Sequence, residues 1–282
     1  MSLFNMFNNY DKPGPGVSKD EPKKSAPIRF FEILWRKLSK LIQLNLIFMI
    51  PVVVVVAAAM YGILILPLQH LMLTTTVFGT LDLYNLYIVP MPVLLLGPFS
   101  CGMAYITRNF AREEHAFVWS DFWDAVKDNW KAGLLNGVIM YIAYAVLSFG
   151  FLFYFDQWKT AGWVYILPLI FIGLIAAIML FAQYYIPLMI VTFDLKLRHI
   201  YKNAVIFAIM GVVRNILITF VFVAMLVGLW FCPAQFIFIP VLLFALIVCS
   251  FISYLCSFAT YSLIDGFMIQ PFYRREAAAN AP

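Results

Sequence analysis

Six long apolar blocks divide the chain, and each is long enough to cross a lipid bilayer as a helix. At 1.5 Å per residue, a stretch of about 20 apolar residues spans roughly 30 Å of hydrocarbon. A soluble fold of 282 residues could not hide six such blocks in its core. The pattern therefore predicts an all-α polytopic membrane protein. Its predicted spans are Leu41–Leu66, Asn85–Ile106, Gly133–Phe155, Trp163–Val191, Gly211–Phe231 and Phe236–Leu263.

An amphipathic stretch precedes the first, third and fifth of these spans. Within each stretch apolar residues recur at helical spacing, with polar residues on the opposite side. The stretches start near Phe30, Trp119 and Leu197. Helices of this kind lie in the membrane interface with their apolar side among the lipid tails. The chain is thus predicted to form three hairpins, each made of a cytoplasmic interfacial helix, an outgoing span and a returning span.

Composition and charge support a membrane location and predict its orientation. Apolar residues make up 64% of the chain and charged residues 12%, against roughly half and a quarter in soluble domains. Of the 19 lysines and arginines, only Lys159 falls in a loop on the side opposite the termini. Basic residues concentrate on the cytoplasmic side, where anionic lipids attract them. We therefore expect a multi-pass protein of the cell membrane with both termini cytoplasmic, whose net charge of +5 reflects lipid contact and no nucleic acid.

The sequence predicts one folded domain between two polar tails. Residues 1–27 mix Asn, Lys, Asp, Pro, Gly and Ser with few apolar residues, which is typical of a disordered tail. Residues 28–273 contain all six predicted spans, and residues 274–282 form a short second tail. Both tails are expected in the cytoplasm.

Four amide side chains stand out within the apolar spans. Three of them occupy equivalent positions in the three hairpins, about one turn inside the outgoing span. The four residues are Asn45, Asn136, Gln183 and Asn215. They could line a polar vestibule that hydrogen-bonds a ligand such as a sugar hydroxyl, or they could form contacts between helices. The sequence leaves both interpretations open.

Nothing in the sequence indicates catalytic chemistry. The four cysteines lie in or beside apolar blocks without metal-ligand spacing, the three histidines lie in different segments, and no glycine-rich phosphate loop occurs. No acidic or basic residue is predicted deep inside a span, which disfavours an ion-driven transporter. We expect no catalytic residue, no cofactor, no metal site and no enzyme activity.

Several short motifs resemble the YesL-like family of bacterial integral membrane proteins, a domain of unknown function. They are Gly97-Pro98-Phe99, Phe122-Trp123, Asn129-Trp130-Lys131, Phe193-Asp194, Lys202-Asn203-Ala204 and Arg214-Asn215. The resemblance extends from about Phe30 to Leu229, and the segment Pro67–Leu83 departs from it. It implies an accessory role in carbohydrate uptake, because members of the family tend to be encoded beside binding-protein-dependent sugar importers. It implies no site residues.

Two functions follow as expectations. The first is a non-enzymatic accessory or scaffold protein in the lipid bilayer that binds a sugar importer of the ABC type through exposed Asp121, Asp124 and Asp128. The second is a carrier for a neutral solute or lipid, with the three asparagines around its path. Self-association is a further possibility, because Gly133 and Gly137 form a Gly-x-x-x-Gly motif, although packing within the chain is the favoured use of that motif.

Overall fold

The fold is described by a computed structural model that covers residues 25–65, 72–75, 78–231, 233, 236 and 238–279. Most of the predicted N-terminal tail, residues 1–24, lies outside the described residues, as do residues 66–71 and 76–77 of the segment Pro67–Leu83. At the other end, residues 274–279 of the predicted C-terminal tail are helical. The first helix begins at Ala26.

The described part of the chain is almost wholly helical. Its α-helices are α1 (Ala26–Ile65), α2 (Gly97–Ala111), α3 (Val118–Ala161), α4 (Ile166–Gln183), α5 (Ile186–Ile190), α6 (Leu197–Met210), α7 (Val212–Trp230), α8 (Phe238–Leu243), α9 (Cys249–Ile264) and α10 (Gln270–Ala279). Wider π-helical turns occur at Tyr84–Ile88, Phe244–Val248 and Asp265–Ile269. Tighter 3₁₀ turns occur at Met91–Leu96 and Trp163–Tyr165. A short antiparallel hairpin follows α1, with β1 (Met72–Thr75) paired to β2 (Gly79–Asp82).

The membrane fold predicted from hydropathy is confirmed. Five stretches of helix in the described chain are long and apolar enough to cross a membrane, and a sixth is formed if α6 and α7 together count as one span. The fourth span is shorter than predicted, because its helix ends at Gln183 and the chain turns before α5.

The amphipathic stretches join their spans in two different ways. In α1, of 40 residues, and α3, of 44, the stretch and the span form one uninterrupted helix. At 1.5 Å per residue each is about 60 Å long, roughly twice the hydrocarbon thickness. Between α6 and α7, by contrast, the helix bends by 88° at Gly211. The predicted third interfacial helix is thus a separate element, whereas the first two are extensions of their spans.

Helix α2 lies between the two buried apolar clusters of the protein. Its Met103, Ile106 and Phe110 pack with residues of α1, α3 and α9, including Leu44. On another side, Cys101 packs with residues of α4, α5 and α6. Contacts with α3 are the most extensive that α2 makes. Helices α1, α3, α5 and α9 are therefore arranged around α2.

Glycine allows α2 and α3 to approach at backbone distance. A Cβ atom at Gly97 would lie 2.1 Å from the carbonyl oxygen of Gly133, and one at Gly137 would lie 2.2 Å from that of Leu94. Both distances are far below van der Waals contact, so only glycine fits at these positions. The Gly-x-x-x-Gly motif of α3 is consequently used within the chain.

A single added methyl group at this contact should destabilise the protein. We expect Gly137→Ala to lower stability by about 1–3 kcal/mol, because the new Cβ must push Leu94 and the adjoining turn away. The measurement is the midpoint of thermal unfolding in a single detergent. Gly228→Ala is the control, because a Cβ there meets nothing within 4 Å. Equal midpoints for Gly137→Ala and the unaltered protein would show that Gly137 and Leu94 are not in close contact.

Candidate functional site

Asn45 binds the π-helical turn at Phe244–Val248. Its Nδ2 donates to the carbonyl oxygens of Phe244 at 2.9 Å and Ala245 at 2.7 Å, and its Oδ1 accepts from the N–H of Ser250 at 2.9 Å. A π-helical turn disturbs the regular i→i−4 ladder, and lipid supplies no replacement hydrogen bonds. One fully buried side chain on α1 thus satisfies three backbone groups of the last span.

The break between α4 and α5 is held by three consecutive side chains. Gln183 and Asn136 exchange reciprocal amide hydrogen bonds of 3.1 and 3.2 Å, which join α4 to α3. Next to Gln183, the hydroxyl of Tyr184 lies 2.8 Å from that of Thr219 on α7. Tyr185 donates to Oδ1 of Asn215, also on α7, at 3.0 Å. We call Gln183, Tyr184 and Tyr185 the junction, because it ties α4 to both α3 and α7.

Asn215 also holds the bend at Gly211. Besides accepting from Tyr185, its Nδ2 donates to the carbonyl oxygen of Ala208 at 3.0 Å, across the corner from α7 to α6. A Cβ at Gly211 would lie 2.4 Å from the hydroxyl oxygen of Tyr185. The bend therefore depends on a glycine, a fully buried asparagine and a tyrosine of the junction.

The four predicted amides do not surround one vestibule. Asn136 and Gln183 lie together beside a cavity of about 520 Å³, and Tyr201 donates to Oδ1 of Asn136 at 2.6 Å. Asn45 and Asn215 do not line that cavity, and both are fully buried in contacts with helix backbone. Each of the three asparagines forms a hydrogen bond at a place where a helix is irregular, ends or bends. For Asn45 and Asn136 this place is on a neighbouring helix, and for Asn215 it is the corner between α7 and α6.

Arg108 is a buried charge that the sequence does not predict. The predicted span Asn85–Ile106 ends before it and so placed it in the following loop, but it lies within α2 with 8% of its surface exposed. Its Nη1 donates to the carbonyl oxygen of Val191 at 2.7 Å and to the hydroxyl of Thr192 at 3.2 Å, and its guanidinium lies 4.6 Å from the ring centre of Tyr105. Val191 follows the last residue of α5, so the cation stabilises the negative end of that helix. Only the tertiary contact with α5 reveals this role.

The three predicted docking aspartates share one polar concavity. Asp121, Asp124 and Asp128 are spaced three and four residues apart, which places them on one side of α3. Together with Tyr105, Asn129 and Val191 they line a depression of about 290 Å³. Asp124 and Asp128 are exposed, whereas Asp121 also accepts a hydrogen bond from the N–H of Phe117 at 2.9 Å and so caps the start of α3.

The concavity is negatively charged. Its three carboxylates lie within two turns of helix. Exposed Lys127 lies 3.5 Å from Asp124 and forms an ion pair with it. Such an exposed pair neutralises little of the negative field. Among the described residues no group of three or more His, Cys, Asp or Glu side chains has metal-binding geometry. The surface is thus suited to basic side chains of another molecule.

Glu113 forms an ion-pair link close to the start of α1. It lies just after α2, with a positive φ of 61° that favours glycine. Its carboxylate accepts from Arg36 at 2.7 Å and lies 3.5 Å from Arg29. The hydrogen bond from Arg36 is the main cause that holds the pKa of Glu113 below its ordinary value. Burial opposes it, and the charges of both arginines add to the lowering. A charged residue here thus fastens α1 to the turn between α2 and α3.

Comparison with known proteins gives one family match. The model of a family described as "Protein of unknown function, DUF624" matches residues 41–151, which is less than half of the chain. This stretch runs from α1 through most of α3 and includes Asn45, Asn136 and the three aspartates. No curated protein and no solved structure matches the chain. The resemblance noted from the sequence is thereby supported as far as similarity to a family of unknown function.

Removing the amide at position 45 should destabilise the last span. We expect Asn45→Leu to cost about 1–3 kcal/mol, because two carbonyl groups and one N–H at the π-helical turn lose their partner. The exposed Asn85, which bonds to the neighbouring Asp82, provides the control Asn85→Leu. Thermal unfolding of both variants in the same detergent measures the difference. If the two midpoints coincide, Asn45 does not support the turn.

The stabilising effect of Glu113 should disappear in acid. A depressed pKa means that its ion pairs contribute at pH values above about 4.5 and that the contribution is lost as pH falls through the lowered pKa. Because the site is exposed, the effect is at most about 1 kcal/mol.

We therefore expect Glu113→Gln to unfold at a lower temperature than the unaltered protein at pH 7, and the two to converge as pH falls through the lowered pKa of Glu113. Asp194→Asn, an exposed change remote from α1, is the control for general charge effects. A difference for Glu113→Gln that does not decrease with falling pH would exclude the ion pair as its cause.

Proposed function

We propose that this protein is a non-enzymatic accessory or scaffold component of the cell membrane, and that it binds an ABC-type carbohydrate importer. The observation that carries the proposal is the concavity lined by Asp121, Asp124 and Asp128. It combines exposed negative charge with a defined shape on α3. The carboxylate of Asp121 is held in place because it accepts a hydrogen bond from the N–H of Phe117. Basic residues of a partner would find complementary charge there.

The remaining polar groups support a structural role for the membrane domain. Asn45, Asn215 and Arg108 are buried and bonded to the ends or irregular turns of helices. A catalytic side chain needs access to its substrate, and groups committed to helix backbone do not have it. The proposal therefore assigns these residues to the scaffold and the aspartates to its interaction surface.

Location and orientation belong to the same proposal. The basic residues that flank the spans support a plasma-membrane protein with both termini in the cytoplasm. In that orientation the concavity at the start of α3 faces the cytoplasm. The partner surface would then be a cytoplasmic loop or a cytoplasmic subunit of the importer. The resemblance to YesL-like proteins supports a sugar importer in particular.

A carrier for a neutral solute or lipid has less support. Its path was expected to pass Asn45, Asn136 and Asn215 together, yet only Asn136 borders the cavity of about 520 Å³ beside the junction. Use of Gly133 and Gly137 within the chain likewise leaves that motif no free surface for self-association.

The test is recovery of the partner from native membranes. Tagged protein extracted in a gentle detergent should retain importer subunits in stoichiometric amount, identified by mass spectrometry. Reversing one charge, in Asp124→Lys or Asp128→Lys, should lower that recovery about tenfold, because like charges then meet in the interface.

Asp194→Lys carries the same charge change at an exposed loop position outside the concavity and should leave recovery unchanged. Recovery of the unaltered protein without importer subunits would refute the accessory role. Equal loss in all three variants would instead assign the effect to net charge and not to this surface.

A further inference from the structure

Two cavities adjoin along α3, the first against the start of α2 and the second against α4. The first, of about 520 Å³, lies beside the Asn136–Gln183 pair and extends to Gly97 and Tyr141. A second cavity, also about 520 Å³, continues between α3 and α4. Met140 and Tyr144 line both. The two spaces therefore form one crevice, whose size falls within the range typical of ligand sites between helices.

One end of this crevice is polar. In the reciprocal pair of Asn136 and Gln183 each amide uses one N–H, which leaves a second N–H on each side chain. The second N–H of Gln183 faces the hydroxyl oxygen of Tyr201, whereas that of Asn136 has no acceptor among the residues that the structure describes. Ser100, on α2, adds a hydroxyl oxygen to the same wall. An uncompensated amide N–H in apolar surroundings is costly, so this end is suited to a ligand that carries a hydrogen-bond acceptor.

The rest of the crevice is apolar and long. Its walls are contributed mainly by aliphatic and aromatic side chains, among them Leu147, Phe151, Leu152, Ile172 and Met179. From Asn136 to Phe151 the helix rises about 22 Å, more than half the hydrocarbon thickness of a bilayer. A ligand that fills it has a polar acceptor at one end and an extended apolar chain.

We propose that the crevice binds a membrane glycerolipid. One acyl chain lies between α3 and α4, and an ester carbonyl oxygen accepts from the second N–H of Asn136. Gln183 is the last residue of α4, so the amides lie at the end of a span, where the ester groups of a bilayer are found. This inference goes beyond the accessory role and is independent of the aspartate surface.

Substitution of Gly173 gives a variant in which the apolar part of the crevice is filled. Gly173 lines the second cavity, and a Cβ there would meet nothing within 4 Å. Gly173→Leu therefore occupies ligand space without displacing protein atoms. Gly228→Leu is the matched control, because Gly228 on α7 is equally open and lies outside both cavities.

The experiment uses the full-length protein reconstituted in vesicles of palmitoyl-oleoyl-phosphatidylglycerol, re-extracted and weighed by native mass spectrometry. The unaltered protein and Gly228→Leu should each retain one lipid, and Gly173→Leu should retain about tenfold less. Lipids held loosely around the whole surface would be lost equally from all three. That outcome, or a retained second protein chain in place of lipid, would overturn the proposal.

A second measurement tests the polar end. The unaltered protein should retain the ester lipid about tenfold better than the ether-linked analogue, which lacks the carbonyl acceptor. Asn136→Leu keeps the side-chain volume but removes the N–H donors, and this preference should shrink while total binding of the ether lipid remains. Equal retention of both lipids by the unaltered protein would remove the amides from the site.

Discussion

The constraint on which this structure depends is that backbone groups in apolar surroundings must find hydrogen-bond partners within the protein. Regular helices meet it internally, but a π-helical turn, a helix end or a bend does not. Asn45 satisfies three backbone groups at the turn Phe244–Val248, and Asn215 bonds across the corner at Gly211. Each irregularity can exist because another helix supplies the missing partner, so the irregular places are also where helices are joined.

The junction extends the same logic to three helices at once. Gln183, Tyr184 and Tyr185 follow one another in the chain, yet they bond to α3 in one direction and to α7 in the other. A straight continuation of α4 would turn these side chains to different sides of the helix and break this set of contacts. The break before α5 thus serves to orient the second and third hairpins, and Arg108 closes the far end of α5 through Val191.

Most buried polar groups are therefore already hydrogen-bonded within the protein. This distinguishes the residues that hold the helices together from those that could bind another molecule. Two places in the described chain present polar groups to a concavity or crevice. The aspartate concavity presents charge outward at the start of α3, and Asn136 presents an amide proton to the crevice. One place is suited to a protein partner and the other to a lipid. Both involve α3, so an occupied crevice and a docked partner would stabilise the same helix.

Local pattern alone determined much of this protein. Apolar runs of membrane length located the helices, amphipathic spacing identified the stretches that precede three spans, and the interval between Asn45, Asn136 and Asn215 revealed equivalent positions. These features follow from hydropathy and helical periodicity, which act over a few neighbouring residues. Sequence reasoning also identified the amides and the aspartates as the notable polar side chains.

Only the tertiary structure decided what those side chains do. Asn45 bonds to residues about 200 positions away, and the end of span four at Gln183 depends on partners on α3 and α7. Arg108 looked like a loop residue because its partner, the end of α5, lies 83 positions further along the chain. Contacts at such separations leave no periodic trace in the sequence. They arise from how whole helices pack. In the packed structure the three asparagines form hydrogen bonds to helices and do not line a shared vestibule.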